Sequence, residues 1–259
     1  MTWILARSVC GCSRERDEDG NITVVLRCKS LWRTHGESCY HVVMDEGRGG
    51  NNVTKLEREI DRHARFGQRL EDLVYHAAKD GKIVYHTKRD DLFTSYWSLV
   101  FDYCKGIVLL LSKEIHSPAF ALMRPLVEAV VREHIALVGS DDEVKKIRTD
   151  RFKVSYDKDG ERLDKLFNSG SLFKDFLRNS REMLHSLTHS GTAQLQHRWD
   201  GDVLGSGFSD EQILALLALC ASAVYMTTLL ITRHFGLEEQ RETADSAFLE
   251  LGPTQAVGK

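Results

Sequence analysis

A run of arginine, histidine and polar residues in the last third of the sequence offers proton-transfer and phosphate-binding chemistry. It reads Arg178-Asn-Ser-Arg-Glu-Met-Leu-His-Ser-Leu-Thr-His-Ser-Gly191, with His197-Arg198-Trp199 beyond it. Histidine both takes and gives a proton near neutral pH, and an arginine guanidinium presents a fixed set of donors to a phosphate. These side chains predict metal-free RNA cleavage, in which the ribose 2′-hydroxyl attacks its own phosphate.

A helix over this run places the important side chains on one side. Arg178 and His185 are two helical turns apart, about 10 Å along the axis, so they point the same way. Glu182 and His189 complete the polar ridge. We predict a catalytic set of Arg178, His185 and His189, and substrate contacts at Asn179, Arg181 and His197. The alternative is a solvated helix face on which histidines merely cluster.

A second constellation lies earlier in the chain, at Arg124-Pro-Leu-Val-Glu128. Arg124 and Glu128 share a helical face with apolar residues, which predicts a buried pair. Burial costs several kcal/mol per ion unless both ions are partnered. The pair is therefore expected to be structural, with substrate binding by the same two residues as the alternative. Pro125, eight positions into the predicted helix, leaves the carbonyl of Ala121 without its helical donor.

Apolar residues recur mostly at spacings of three and four, which predicts a mainly α fold. We expect a bundle of five or six helices over residues 53–236, a small β-rich appendage over 1–50 and a tail over 237–259. The predicted helices cover 54–78, 90–112 and 117–139, followed by helices that begin at Ser140, Ser171 and Ser209. The polar segment 151–169, with a turn at Asp159-Gly160, is predicted to be a surface loop or insertion.

The composition is that of an ordinary soluble globular protein. The chain has 259 residues, 42% hydrophobic and 28% charged, with 35 basic and 38 acidic side chains. A net charge of -3 gives no global attraction to nucleic acid, so any RNA contact has to come from a local basic surface. The first residues reach Arg7 well short of the apolar segment of a secretory signal, which predicts a cytoplasmic protein.

Six cysteines are expected to be free thiols or metal ligands, since a reducing compartment disfavours disulfides. Cys104 and Cys220 lie in apolar helical stretches and are predicted to be core thiols. The remaining four can supply a zinc site together with nearby histidines, although they lack paired Cys-x-x-Cys knuckles. This less favoured site consists of Cys10, Cys12, Cys28 and Cys39.

Residues 213–232 form a twenty-residue run without a charge, long enough to span a bilayer. Ser209 and Gln212 form a capping box before the run, and Gly236 is a stop signal after it. We therefore favour a buried helix over a membrane anchor. A helix that is apolar all round is equally typical of a bundle centre or a dimer interface.

The stretch from Ser117 to Thr232 resembles an uncharacterised bacterial family of helical proteins. The resemblance rests on an Arg-Pro-x-x-Glu helix, here Arg124 to Glu128, and on a later histidine element, here His189-Ser190-Gly191. That family is similar to the HEPN group of helical ribonucleases and toxin-type domains. HEPN sites carry an arginine, usually followed by a polar residue, and a histidine after four to six intervening positions. Arg178-Asn179 and His185 match this pattern.

The resemblance covers about residues 54–235 and implies a metal-independent ribonuclease that acts as a toxin or phage-defence effector. It also implies a homodimer in which two copies of the site helix face each other across a cleft for RNA. Two further arginine–histidine pairs also have four to six intervening residues: Arg58 with His63 and Arg69 with His76. Many HEPN-like domains are non-catalytic, so a helical binding or dimerisation module is the alternative function.

Overall fold

The computed structural model describes residues 54–85, 87–188 and 208–252, together with the backbone of short strands in other parts of the chain. These strands are β1 (Gly11–Arg16), β2 (Ile22–Arg27), β3 (Tyr40–Val43), β4 (Trp199–Asp200) and β5 (Val203–Leu204). β2 pairs antiparallel with β1 and β3, and β4 pairs antiparallel with β5. Most of the predicted appendage over 1–50 lies outside the described residues, and the appendage stays a prediction.

The chain divides into two units, Met1–Val53 and Thr54–Lys259. The described part of the second unit is mostly helical, which confirms the predicted bundle, with more helices than the five or six expected. They are α1 (Lys55–Lys79), α2 (Lys88–Ser112), α3 (His116–Ala121), α4 (Met123–Val138), α5 (Asp141–Arg148), α6 (Tyr156–Phe167), α7 (Leu172–Thr188), α8 (Asp210–His234) and α9 (Glu238–Leu251).

Reciprocal capping boxes fix where four of these helices begin. In each box a Ser or Thr hydroxyl accepts from a backbone N–H three residues on, and that residue's side chain accepts from the cap N–H. The predicted boxes at Ser140 and Ser209 are confirmed. The other two pair Thr54 with Glu57 and Thr87 with Asp90.

The predicted helix over 117–139 is interrupted, and this part of the prediction was wrong. α3 ends at Ala121 and α4 begins at Met123, with Leu122 between them. Pro125 is therefore the third residue of a new helix, not a residue eight positions into a longer one. A proline there costs little, because the first N–H groups of a helix have no intrahelical acceptor.

Two segments predicted to be irregular are helical. The predicted loop over 151–169 contains α6, and Gly160 lies inside that helix, not in a turn. A Cβ on Gly160 would lie 3.0 Å from the Cα of Lys174, so glycine allows α6 and α7 to pack closely. The predicted tail over 237–259 contains α9, which packs against α1 and α8.

α8 forms the centre of the helical unit and contacts α1, α2, α4, α7 and α9. Of the described helices, it is the one long and apolar enough to cross a membrane, with a mean hydropathy of 2.2, and 72% of that window is buried in the fold. It fills the core position predicted for residues 213–232. Cys104 and Cys220 are buried free thiols, as predicted.

Candidate functional site

α7, which carries the predicted catalytic arginine, is held firmly on its inner side. Its buried residues are Phe173, Phe176, Leu177, Ser180 and Leu184. At its start, the buried carboxylate of Asp164 on α6 accepts from two backbone N–H groups, those of Phe173 and Lys174, each at 2.9 Å. A carboxylate at a helix N-terminus satisfies unpaired donors and complements the helix dipole. The packing of its buried side and the Asp164 hydrogen bonds therefore fix the position of α7, while its other side stays exposed.

The exposed side of α7 carries Arg178, Asn179 and Arg181, as the ridge prediction requires. The side chains of Arg178 and Arg181 are 59% and 49% exposed. Arg178 pairs with Asp175 at 2.8 Å, and Arg181 pairs with Asp157 of α6 at 2.9 Å. Both guanidinium groups are accessible, but each one already has a carboxylate partner.

The predicted histidines are only partly covered by the structure. His185 belongs to α7, two turns after Arg178, and its backbone alone is described. His189 and His197 lie outside the described residues. The meeting of Arg178, His185 and His189 at one phosphate therefore stays a prediction.

The structure argues against one of the two other arginine–histidine pairs, Arg58 with His63. His63 is 4% exposed, and burial lowers its pKa, so it is unsuited to an open cleft. His76 is exposed, and Arg69 on the same helix pairs with Glu250 of α9 at 2.7 Å, much as Arg178 pairs with Asp175. Arg69 and His76 make a useful comparison pair because they share the spacing of Arg178 and His185.

Arg124 and Glu128 form the predicted ion pair, with Arg124 Nε 3.0 Å from Glu128 Oε1, but its predicted burial is wrong. The Arg124 side chain is 63% exposed and that of Glu128 is 22% exposed. Glu128 also contacts Arg132, one turn further along α4, at 3.2 Å. The buried positions of α4 include Leu126, Val127, Val130 and Val131. The three charged residues at 124, 128 and 132 therefore lie along the edge of the buried face of α4.

Because this pair is solvated, Glu128→Ala is expected to lower the free energy of unfolding by about 1 kcal/mol or less. A buried pair would instead cost about 3–5 kcal/mol when broken. Urea denaturation of wild type, Glu128→Ala and Glu128→Gln measures the difference. A loss above about 3 kcal/mol in Glu128→Ala alone would contradict the exposed placement of the pair.

α6 connects the two predicted constellations. Tyr156 lies beside Arg124 and Glu128, and burial raises the pKa of its phenol. The next residue, Asp157, holds Arg181 of α7. Both arginines therefore lie near the start of α6, Arg181 through its ion pair with Asp157 and Arg124 through its proximity to Tyr156. Sequence spacing does not show this link, because it depends on the packing of a segment that we predicted to be a loop.

A buried carboxyl–imidazole pair on α4 escaped the sequence analysis. Glu133 is completely buried, and Thr227 of α8 donates its hydroxyl to Glu133 Oε2 at 2.6 Å. Glu133 Oε1 has no hydrogen-bond partner within the described part of the chain. Burial raises the pKa of Glu133 to about 8, although the Thr227 bond opposes this shift. The carboxyl is therefore mostly protonated at neutral pH.

His134, the next residue, is 1% exposed and also uncharged at neutral pH. Burial lowers its pKa to about 4, despite a 2.7 Å hydrogen bond between Nδ1 and the carbonyl of Val130. The imidazole meets the rings of Phe167 and Phe173 edge-on, with centroids 5.4 and 4.7 Å away. The available sequence signal was an Arg-Glu-His triplet between two apolar pairs, Val130-Val131 and Ile135-Ala136.

His134 forms part of the wall of a cleft between α4, the α6–α7 connection and α8. The partly enclosed space measures about 70 Å³. Its walls are mainly apolar and aromatic, with one arginine. The lining residues are His134, Phe167, Ser169, Leu172, Phe173, Met226, Leu229, Leu230 and Arg233.

A further imidazole–carboxylate contact joins the start of α2 to the end of α8. His234 Nε2 lies 3.0 Å from Asp90 Oδ1, while Asp90 Oδ2 accepts from the N–H of Thr87 at 2.8 Å. His234 also packs edge-on against Phe93. One carboxylate thus serves both as a helix cap and as a tertiary link, which explains its burial.

Among the described residues, no group of three or more His, Cys, Asp and Glu side chains is arranged to hold a metal ion. Cys10, Cys28 and Cys39 of the predicted zinc site lie outside the described residues. Cys12 belongs to β1, whose backbone alone is described. The zinc prediction stays untested.

Comparisons with known proteins give a family but no activity. The model of a family of unknown function matches residues 97–247, which is more than half of the chain. The match contains all of α3 to α8, and so both predicted constellations and the cleft. No curated protein and no solved structure matches the chain.

Proposed function

Because the chain belongs to DUF6988, a family of unknown function, we propose an activity from its exposed chemistry: metal-independent endoribonuclease action of HEPN type. The observation that carries the proposal is the outer face of α7. It presents Arg178, Asn179 and Arg181 to solvent from a helix anchored by Asp164 and by its apolar side. Catalytic groups on a rigid, well-packed helix keep the geometry that catalysis needs.

In the proposed reaction, His185 removes the proton from a ribose 2′-hydroxyl, and the resulting oxygen attacks the neighbouring phosphorus. The bond from phosphorus to the 5′-oxygen breaks, and that oxygen receives a proton from the imidazolium. The products are a 2′,3′-cyclic phosphate and a 5′-hydroxyl. Arg178 leaves Asp175 to bind the phosphate oxygens, where negative charge develops. His189 assists the proton transfers.

In this proposal, further residues near Arg178 and later in the chain contact the RNA around the reacting phosphate. Asn179 and Arg181 flank Arg178 on α7, and His197 follows in the chain. Arg124 and Glu128 extend the contact surface through the α6 link. We propose that two copies of the chain form a cytoplasmic homodimer with their α7 helices facing each other. A toxin or antiviral-defence role, without a metal or other cofactor, completes the proposal.

Replacing Arg178 with glutamine is expected to slow RNA cleavage about tenfold, because one charge-assisted phosphate contact is lost. The assay follows decay of total bacterial RNA in EDTA. Arg65→Gln is the matched control, since Arg65 is an exposed helical arginine paired with Asp61 at 2.5 Å. Equal rates for Arg178→Gln and wild type would contradict the role of Arg178.

A non-catalytic binding or dimerisation module is the second candidate, and one observation favours it. Arg178, Arg181 and Arg124 each have a carboxylate partner, so a phosphate has to displace an existing ion pair. Such a module is expected to form stable oligomers or complexes and to leave RNA intact. A membrane anchor at 213–232 is less favoured, because those residues fill the core.

A further inference from the structure

We propose that the cleft between α4, the α6–α7 connection and α8 binds a small aromatic acid with a hydrogen-bond donor at the end opposite its carboxylate. This site is separate from the exposed ridge of α7 and does not depend on the ribonuclease proposal. Three features define the ligand class: an imidazole acceptor, aromatic walls and a cation at the mouth.

The acceptor is Nε2 of the His134 side chain. The carbonyl of Val130 can only accept, so Nδ1 carries the imidazole proton in the 2.7 Å hydrogen bond between them. A neutral imidazole then has a lone pair on Nε2. Nε2 has no hydrogen bond to any described residue, although the side chain is only 2% exposed and lines the cleft. A ligand hydroxyl or N–H satisfies this acceptor.

The walls favour a flat apolar body. Phe167 and Phe173 contribute rings on one side, and Met226, Leu229 and Leu230 of α8 contribute aliphatic surface. The partly enclosed space of about 70 Å³ covers part of one six-membered ring, since a cavity of about 150 Å³ holds a whole benzene. The rest of the ligand therefore extends toward the open side.

Arg233 supplies the cation at the mouth. It lines the cleft, its residue surface is exposed, and its guanidinium lies 3.5 Å from the carbonyl of Phe167. Arg233 follows Thr227 by six residues, about 9 Å along α8. Thr227 is the point along α8 that faces this part of α4, because its hydroxyl binds Glu133, the neighbour of His134. This separation along α8, from the level of Thr227 to Arg233, suits the length of a para-substituted aromatic acid.

The cleft is formed before a ligand arrives. The buried hydrogen bond from Thr227 to Glu133 joins α8 to α4 at the residue that precedes His134. Asp164 fixes the start of α7 next to the two phenylalanines. A preformed site loses little conformational entropy on binding.

Isothermal titration calorimetry of the full chain with 4-hydroxybenzoate tests the proposal. We expect saturable binding at one site per chain. Benzoate lacks the donor and phenol lacks the carboxylate, so each is expected to bind about tenfold more weakly. Absence of binding by 4-hydroxybenzoate, or equal affinity for benzoate, would overturn the assignment.

Variants locate the binding in the cleft. Arg233→Gln is expected to weaken 4-hydroxybenzoate about tenfold and to leave phenol unchanged, whereas Arg65→Gln changes neither. His134→Phe keeps a ring and removes the acceptor, so it is expected to abolish the preference for 4-hydroxybenzoate over benzoate. If His134→Phe does not fold, the affinities of the wild-type chain for 4-hydroxybenzoate, benzoate and phenol still test the proposal. Unchanged affinity in Arg233→Gln would contradict the site.

Discussion

Replacing His185 with alanine is expected to lower the rate of RNA cleavage by at least about 100-fold, with little change in the melting temperature. Proton transfer by a positioned side chain contributes typically about 10²–10⁴-fold to a rate. In the proposed reaction, one imidazole performs both proton transfers, so its loss affects both halves of the reaction. Decay of RNA in EDTA measures the rate, and thermal unfolding of the same samples measures stability.

His76→Ala is the matched control for this prediction. His76 follows Arg69 by seven residues on α1, as His185 follows Arg178 on α7, and its surface is exposed. Its removal is expected to leave cleavage unchanged. A folded His185→Ala protein that keeps the wild-type rate would refute the assignment. A loss of cleavage in His76→Ala would place the site on α1 instead.

The second large effect concerns stability and pH. Glu133→Gln is expected to make the protein more stable than wild type at pH 8, by several kcal/mol, and about equally stable near pH 5. Burial raises the pKa of Glu133 from 4.5 to about 8 in the folded state. Between these values the folded state holds a proton that the unfolded state releases. The free energy of unfolding of wild type therefore falls by about 1.4 kcal/mol per pH unit over that window.

Glutamine removes this dependence because it stays neutral and still offers an oxygen to the hydroxyl of Thr227. His134 acts in the opposite direction, since burial lowers its pKa from 6.5 to about 4. Its contribution is complete above pH 6.5 and is lost as pH falls toward 4, in wild type and variant alike. Urea denaturation between pH 5 and 9 measures the difference, with the exposed substitution Glu250→Gln as control. Parallel curves for wild type and Glu133→Gln would show that the carboxyl is not buried as described.

Helix starts were the most predictable part of this fold. A Ser followed three residues later by Glu or Gln identified the beginnings of α5 and α8, because the capping box is a local interaction that sequence spacing contains. The break at Leu122 also had a local signal, because Pro125 leaves the carbonyl of Ala121 without a helical donor and clashes with it. The apolar periodicity continues through the break, and for this reason we predicted one helix instead of two.

The missed helices show the limit of turn signals. Asp159-Gly160 is a typical turn pair, yet Asp159 accepts from the N–H of Ser155 at 2.7 Å and Gly160 meets α7 at close range. α9 buries Ala244, Ala247 and Leu251 among polar neighbours, a weak apolar stripe that we interpreted as a tail. Tertiary contacts decided both segments, and a single sequence does not contain them.

The candidate sites also combine features that follow from sequence spacing with features that depend on tertiary packing. The Arg124–Glu128 contact follows from i,i+4 spacing, whereas its exposure depends on where the edge of the buried face of α4 falls. Glu133 and His134 contact residues more than thirty positions away along the chain, on α6, α7 and α8. Periodicity identifies a polar residue on an apolar helix, but it does not show which partner or space that residue meets.

The most direct test of the ribonuclease proposal compares two strands of one sequence in EDTA, the first of RNA and the second fully 2′-O-methylated. We predict that the wild-type chain cuts the RNA strand, leaving 2′,3′-cyclic phosphate and 5′-hydroxyl ends, and leaves the methylated strand intact. Cleavage of the methylated strand, or an RNA strand that survives every assembly of the purified chain, would contradict attack by a ribose hydroxyl assisted by Arg178 and His185.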